Sequence, residues 1–255
     1  MNFRFRCLVF GIIIMVGQSA TAQKRTTSVQ QTWFAYNNQT RLSDKWGLWG
    51  DFHLRTKEDF FDNLSTGIAR VGLMYYLTNN TKLTAGYAYV NHFPADAHPD
   101  ISQPEHRPWQ QVQWHNRFPR LRLMQWVRLE ERFRRKIKDN DELADGYNFN
   151  WRVRYNLMLN FALNKKPFAP GTISYAVNNE THINFGKEIV YNTFDQNRFF
   201  VGLHYHTNAH DFLQFGYMYF YQQLAAVNRY RYIHAARISY FHNLDLRKKD
   251  PLPKI

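Results

Sequence analysis

The chain has 255 residues, with 33 lysines and arginines against 20 acids and a net charge of +13. An apolar content of 44% with a mean hydropathy of −0.58 excludes a bundle of membrane helices, each of which needs about 20 consecutive apolar residues. The 17% aromatic content excludes a disordered chain, and a single cysteine, Cys7, excludes a disulfide-stapled scaffold.

Residues 1–22 have the layout of a secretory leader. Arg4 and Arg6 form a basic start, Leu8 to Val16 is apolar but too short to span a bilayer, and Ala20-Thr21-Ala22 offers small residues for cleavage before Gln23. Cys7 leaves with it, so the exported chain is expected to hold its fold without covalent help.

From there the sequence alternates with a period of two, as strands do when their two faces meet different surroundings. Trp46, Leu48, Gly50, Phe52 and Leu54 form one row against Gly47, Trp49, Asp51, His53 and Arg55. Ala69, Val71, Leu73, Tyr75 and Leu77 follow, then Leu83, Ala85, Tyr87 and Tyr89, and later Trp151, Val153, Tyr155 and Leu157, opposed by Arg152, Arg154 and Asn156. Phe199, Val201, Leu203 and Tyr205 precede Leu213, Phe215, Tyr217, Tyr219 and Tyr221. Eleven segments emerge, near 28–42, 45–57, 65–78, 80–93, 105–118, 120–135, 147–161, 171–185, 194–207, 210–223 and 229–243. Turn residues at Ser43-Asp44, Thr78-Asn79-Asn80, Pro119 and Thr207 to His210 mark short connections. Longer polar ones are expected near 57–64, 92–104, 135–147, 185–194 and 222–229, and 164–171 is grouped with the short set. The chain reads as one antiparallel up-and-down meander.

Segments of about 12 residues suit a tilted membrane crossing better than the usual soluble strand of 5–6. Short connections at one end, long ones at the other, and Trp46, Tyr75, Tyr76, Tyr87, Tyr89, Tyr230 and Tyr232 near strand ends fit a transmembrane β-barrel with aromatic girdles. The apolar rows then face lipid. The polar rows face the lumen: Glu105, Arg107, Gln111, Gln113, His115 and Arg117; Arg128, Glu130 and Arg132; Arg152 and Arg154; Glu180, His182, Arg198, His204 and Arg237. An Arg or Lys at the midplane of the lipid face would cost about 2–4 kcal/mol, whereas in the lumen arginine forks can pair with carboxylates across strands. The expected lumen network is Glu105, Arg107, Arg128, Glu130, Arg132, Arg152, Arg154, Glu180 and Arg198, acting as a polar core or as a basic pore wall that selects anions.

Glu105-His106-Arg107 with Gln110-Gln111, then Arg128-Leu129-Glu130-Glu131-Arg132-Phe133, Arg152-Val153-Arg154-Tyr155, Phe194-Asp195-Gln196-Asn197-Arg198 and Gly216-Tyr217 occur in that order. Over about 30–243 the chain resembles the domain of unknown function 2490 family of bacterial outer-membrane β-barrel proteins. The resemblance implies an outer-membrane barrel and no reaction. Two features depart from ordinary outer-membrane barrels. Phe241 is followed by a polar tail ending Asp250-Pro251-Leu252-Pro253-Lys254-Ile255 where an aromatic terminus is usual. Eleven is odd where single-chain bacterial barrels are even, so about twelve strands are predicted, with ten the next choice.

Other chemistry is thinly represented. Ser174 and His182 on one strand stand about 26 Å apart and cannot form a nucleophile–base pair. His182, His204 and His206 are weak metal candidates, and no metal, cofactor or catalytic residue is assigned. Singly spaced arginines and an export signal argue against nucleic acid. The expected partners are outer-membrane lipids, including lipopolysaccharide met by Lys57, Arg134, Lys136 and Lys138, and the barrel assembly machinery. The sequence thus predicts a leader at 1–22, an all-β transmembrane barrel at 23–244 and a polar tail at 245–255, with a structural or narrow pore role in the outer membrane. An outer-membrane lipid-binding or lipid-modifying enzyme and a soluble secreted β-barrel are the alternatives.

Overall fold

The computed structural model describes residues 24–95 and 98–247; the leader and most of the tail lie outside the described residues. Eleven strands follow one another: β1 Arg25–Arg41, β2 Trp46–Glu58, β3 Asp62–Tyr76, β4 Thr81–His92, β5 Gln103–Arg117, β6 Leu121–Ile137, β7 Leu143–Ala162, β8 Ile173–Phe185, β9 Phe194–His206, β10 Phe212–Gln223 and β11 Arg229–Asp245. Each of the eleven expected segments is a strand. Consecutive strands pair antiparallel and the sheet closes into a barrel through β1 and β11.

The expectation of an even number is not met, and the reason is topological. An odd number of strands in a meander leaves the first and last pointing the same way, so closure has to be parallel. β1 and β11 pair in parallel without a break, from Arg25↔Arg229 to Arg41↔Asp245. The termini therefore leave from opposite rims, termed here the N-terminal rim, where β1 begins, and the C-terminal rim, where β11 ends. Closure removes the unpaired edges that a meander of this length would otherwise expose.

The turn residues behave as their chemistry requires. The Thr78 hydroxyl accepts the N–H of Asn80 and of Thr81 at 3.1 and 2.9 Å, and the Asn208 side-chain oxygen accepts those of His210 and Asp211 at 2.8 Å each. The contrast between short and long ends is weaker than expected. Strands β2, β3, β6 and β7 run on past the expected polar loops, which shrink to residues 59–61 and 138–142. Residues 163–172, grouped with the short set, form instead a long connection at the C-terminal rim.

The alternation decides the faces as predicted. Val71 is 63% exposed on the outer surface, where Leu48, Phe52, Leu73, Leu83, Phe199 and Phe215 also lie, while Glu105 and Glu130 are fully buried inside. Aromatic rings gather toward both rims. Trp46 packs on Tyr75 and Tyr36 on Tyr240 toward the C-terminal rim. Tyr219 stacks on Tyr232, Tyr221 on Tyr230 and Trp151 on Phe185 toward the other. Three outward histidines, His106, His234 and His242, are hydrogen-bonded to the hydroxyls of Tyr87, Tyr217 and Tyr36 on neighbouring strands, so their polar atoms are not left bare on an apolar surface.

Two glycine pairs shape the interior wall. Gly72 faces Gly86 across β3 and β4, and Gly202 faces Gly216 across β9 and β10. A fully buried ring lies over each: a Cβ at Gly86 would stand 2.7 Å from Trp109, and one at Gly216 would stand 3.0 Å from Phe200. The missing side chains make room for a large ring flat against the sheet.

Candidate functional site

The inward faces of β5 to β9 carry one continuous ion network. Glu105 receives Arg107 at 2.6 Å, Arg132 at 2.7 Å, Arg134 at 3.0 Å and His92 at 2.9 Å. Glu130 receives Arg152 at 2.5 Å and Arg154 at 2.6 Å, with Arg107 at 3.7 Å and Arg128 at 4.0 Å. Arg154 reaches on to Glu180, which also has His182 at 3.0 Å and Arg198 at 3.6 Å. Cross-strand register produces these contacts: Glu130 faces Arg152, and Glu180 faces Arg198. All nine expected lumen residues are thus inside and joined. Arg128 completes the wall by lying 4.2 Å from the Trp109 ring and 5.0 Å from that of Trp126.

Period-two reading misses one member. Asp195 neighbours the inward Gln196 and would point outward on a regular strand. A register shift between His182 and Ile183 opposes Gln196 to His182 and Phe194 to Ile183, leaving Asp195 as the extra residue of a bulge. Its carboxylate turns inward and receives Arg152 at 3.0 Å. A second acid, Asp51, holds Arg70 at 2.7 Å and His53 at 3.1 Å on β2 and β3.

Within the barrel is a cavity of about 760 Å³, running from Lys57, Pro94 and Arg229 near the N-terminal rim to Met158 and Phe241 deeper inside. Thirteen arginines and lysines line it against three carboxylates, Glu58, Glu180 and Asp195. The excess lies on the β1, β2 and β11 side. Among the described residues Arg55, Arg231 and Arg237 have no carboxylate within 4.0 Å, and the buried Nε atoms of Arg55 and Arg231 have no hydrogen-bond partner. Arg55 instead lies 3.6 Å from the centroid of Trp33.

A family model described as a protein of unknown function (DUF2490) matches residues 30–231. The chain belongs to the DUF2490 family. A solved structure of the NanC porin is similar to it at a TM-score of 0.44 and 10% identity, over 77% of this chain and 89% of that one. No curated protein matches the chain.

Several of the residues named above for the resemblance lie in the network. Glu105, Arg107, Arg128, Glu130, Arg132, Arg152, Arg154, Asp195 and Arg198 all take part in it, and Gly216 belongs to one of the two glycine pairs. Toward the C-terminal rim the DUF2490 lumen is filled differently. Phe168, held at φ 56°, turns in from the 163–172 connection onto His206, and the Arg122 guanidinium lies over its ring, 4.0 Å from the centroid. His204 stacks on Phe212, and Phe212 on Phe241. His204 is bonded to Asn160 at 2.9 Å and Gln214 at 2.7 Å.

The histidine candidates part company here. His182 lies opposite Gln196, whereas His204 lies opposite Ser174, so the three do not converge. No cluster of three metal-ligating side chains occurs among the described residues. The register does bring together a pair that single-strand spacing could not: Ser174 Oγ lies 2.9 Å from His206 Nε2. Among the described residues no carboxylate is within 4.0 Å of His206, and Ser174 is fully buried, so the pair lacks both an orienting acid and access to a lipid ester. Arg134, expected to meet lipid phosphates, is committed to Glu105.

Proposed function

We propose that this DUF2490 barrel resides in the bacterial outer membrane and acts as a narrow pore for small anionic solutes. The observation that carries the reading is the pairing of opposites across one wall: apolar side chains outside, and inside a cavity lined by thirteen cations and three carboxylates. An apolar band between aromatic girdles suits acyl chains and their two interfaces. A cation-lined lumen concentrates anions and repels cations. The leader-like layout of residues 1–22 supports the location, and Lys57 and Lys136 at the N-terminal rim are suitable for the phosphates of lipopolysaccharide. The aromatic packing around Phe168 is the constriction.

Reconstitution into planar bilayers tests this. Current steps are expected, and in a salt gradient the reversal potential should take the sign of anion selectivity. Absence of current, or cation selectivity, overturns the reading. Phe168→Ala should raise the unitary conductance by removing the ring that enters the lumen.

A further inference from the structure

We infer that the lumen holds a binding site for a small organic anion, a carboxylate or phosphate ester on an apolar body, between Arg55, Arg198 and Arg237 beside Trp33. The inference rests on the lumen being the route or pocket proposed above and adds to it a ligand class and a place.

The first argument is charge. Across β2, β1 and β11 the residues Arg55, Trp33 and Arg237 form one cross-strand row, each facing the next. Arg198 comes in from β9, 5.0 Å from the same Trp33 ring that carries Arg55. Two guanidinium groups thus share one indole with a third beside it. Across the lumen Arg107, Arg132, Arg152 and Arg154 each hold a carboxylate at hydrogen-bond distance. Here, among the described residues, Arg55 and Arg237 have none, and Arg198 has Glu180 only at 3.6 Å while it donates to the Gln196 side chain at 2.8 and 3.0 Å. Buried cations without counter-charge are costly, and a buried donor without a partner, such as Arg55 Nε, calls for one. Guanidinium forks match the two oxygens of a carboxylate or phosphate.

The second argument is shape. The site opens on the cavity of about 760 Å³, a volume in the range that holds small organic ligands. Phe220 and Ile233, paired across β10 and β11, line that cavity beside Trp33, whose ring meets Phe220 edge-on at 5.8 Å. An oxyanion head against the arginines therefore places the rest of the ligand along an apolar wall. That favours a body with apolar surface over a bare inorganic ion.

The test uses the processed full chain in detergent micelles, with benzoate, inorganic phosphate and chloride compared at equal ionic strength. Benzoate is expected to raise the unfolding temperature saturably, by roughly 5 °C at a hundredfold excess over its Kd, and phosphate less. The double variant Arg55→Gln/Arg237→Gln should lose the saturable rise while unfolding in chloride no earlier than the parent, because neither arginine leaves a carboxylate behind. Arg247→Gln, outside the lumen against Asp44 and Asp245, should keep it. Should the double variant not fold, titration calorimetry of Arg237→Gln with benzoate replaces it, with at least tenfold weaker binding expected. No saturable response, an undiminished response in the Arg55→Gln/Arg237→Gln or Arg237→Gln variant, or a phosphate response as large as that of benzoate overturns the proposal. Conductance keeps the two readings apart. Saturable benzoate binding to a barrel that passes no current keeps the site and overturns the pore, whereas anion current without saturable binding does the reverse.

Discussion

Glu130 shows what a single residue does in this lumen. It is fully buried, and its two oxygens are shared among Arg152 and Arg154, with Arg107 and Arg128 at longer range. Removing its charge leaves those cations facing one another in a medium that screens them poorly. Glu130→Gln keeps the shape and is expected to destabilise the barrel by about 3–5 kcal/mol, the range for breaking a buried ion pair on one side. Denaturant unfolding in detergent micelles measures it, and a change under 1 kcal/mol would mean that Glu130 is not a hub. The opposite sign is expected for the unpaired cations, since an arginine without a carboxylate can be neutralised without orphaning a partner. Glu130 and its arginines were legible in the sequence because alternation puts them on one face. Asp195 was not, because a bulge reverses the parity on which that reading depends.

At the scale of elements, the glycine pairs determine how thick the wall is where Trp109 and Phe200 lie. Gly216→Val places a branched side chain against the backbone of β9 and the Phe200 ring. The β9 backbone would have to shift away from β10 and the ring lift off the sheet, at a cost of about 1–3 kcal/mol or more. A lower unfolding temperature with an intact β spectrum is the expected result. The seam between β1 and β11 is an element that no local pattern announces. Its register puts Phe34 beside Ile238, both on the outer face, and paired strands hold Cα atoms within disulfide reach. In a chain without other cysteines after cleavage, Phe34→Cys/Ile238→Cys should oxidise to an internal disulfide. Failure to cross-link in folded protein would break the parallel closure.

For the whole molecule, an apolar exterior on a charged interior has a direct consequence for handling. The processed chain should be monodisperse only in detergent or lipid, and sedimentation in plain buffer checks it. A well-behaved monomer without detergent would remove the membrane assignment. The odd strand count adds a topological consequence: tags placed after the leader and at the C-terminus should become protease-accessible from opposite faces of the membrane. An even barrel would expose both on one side.

Some of this was fixed by composition and periodicity alone. Eleven alternating segments, with most of their arginines and carboxylates on the polar rows, determine a barrel with its charges inside, because the strand period of two is a local property that neighbouring residues carry by themselves. What the folded chain alone decided depends on distance across the sheet. Which arginine meets which carboxylate, that Ser174 meets His206 and not His182, that Phe168 enters the lumen, and that closure is parallel all follow from register. Register is set by every turn and bulge between two strands, so no single segment contains it. The uncompensated corner of Arg55, Trp33 and Arg237 exists only where the first, second and last strands come side by side.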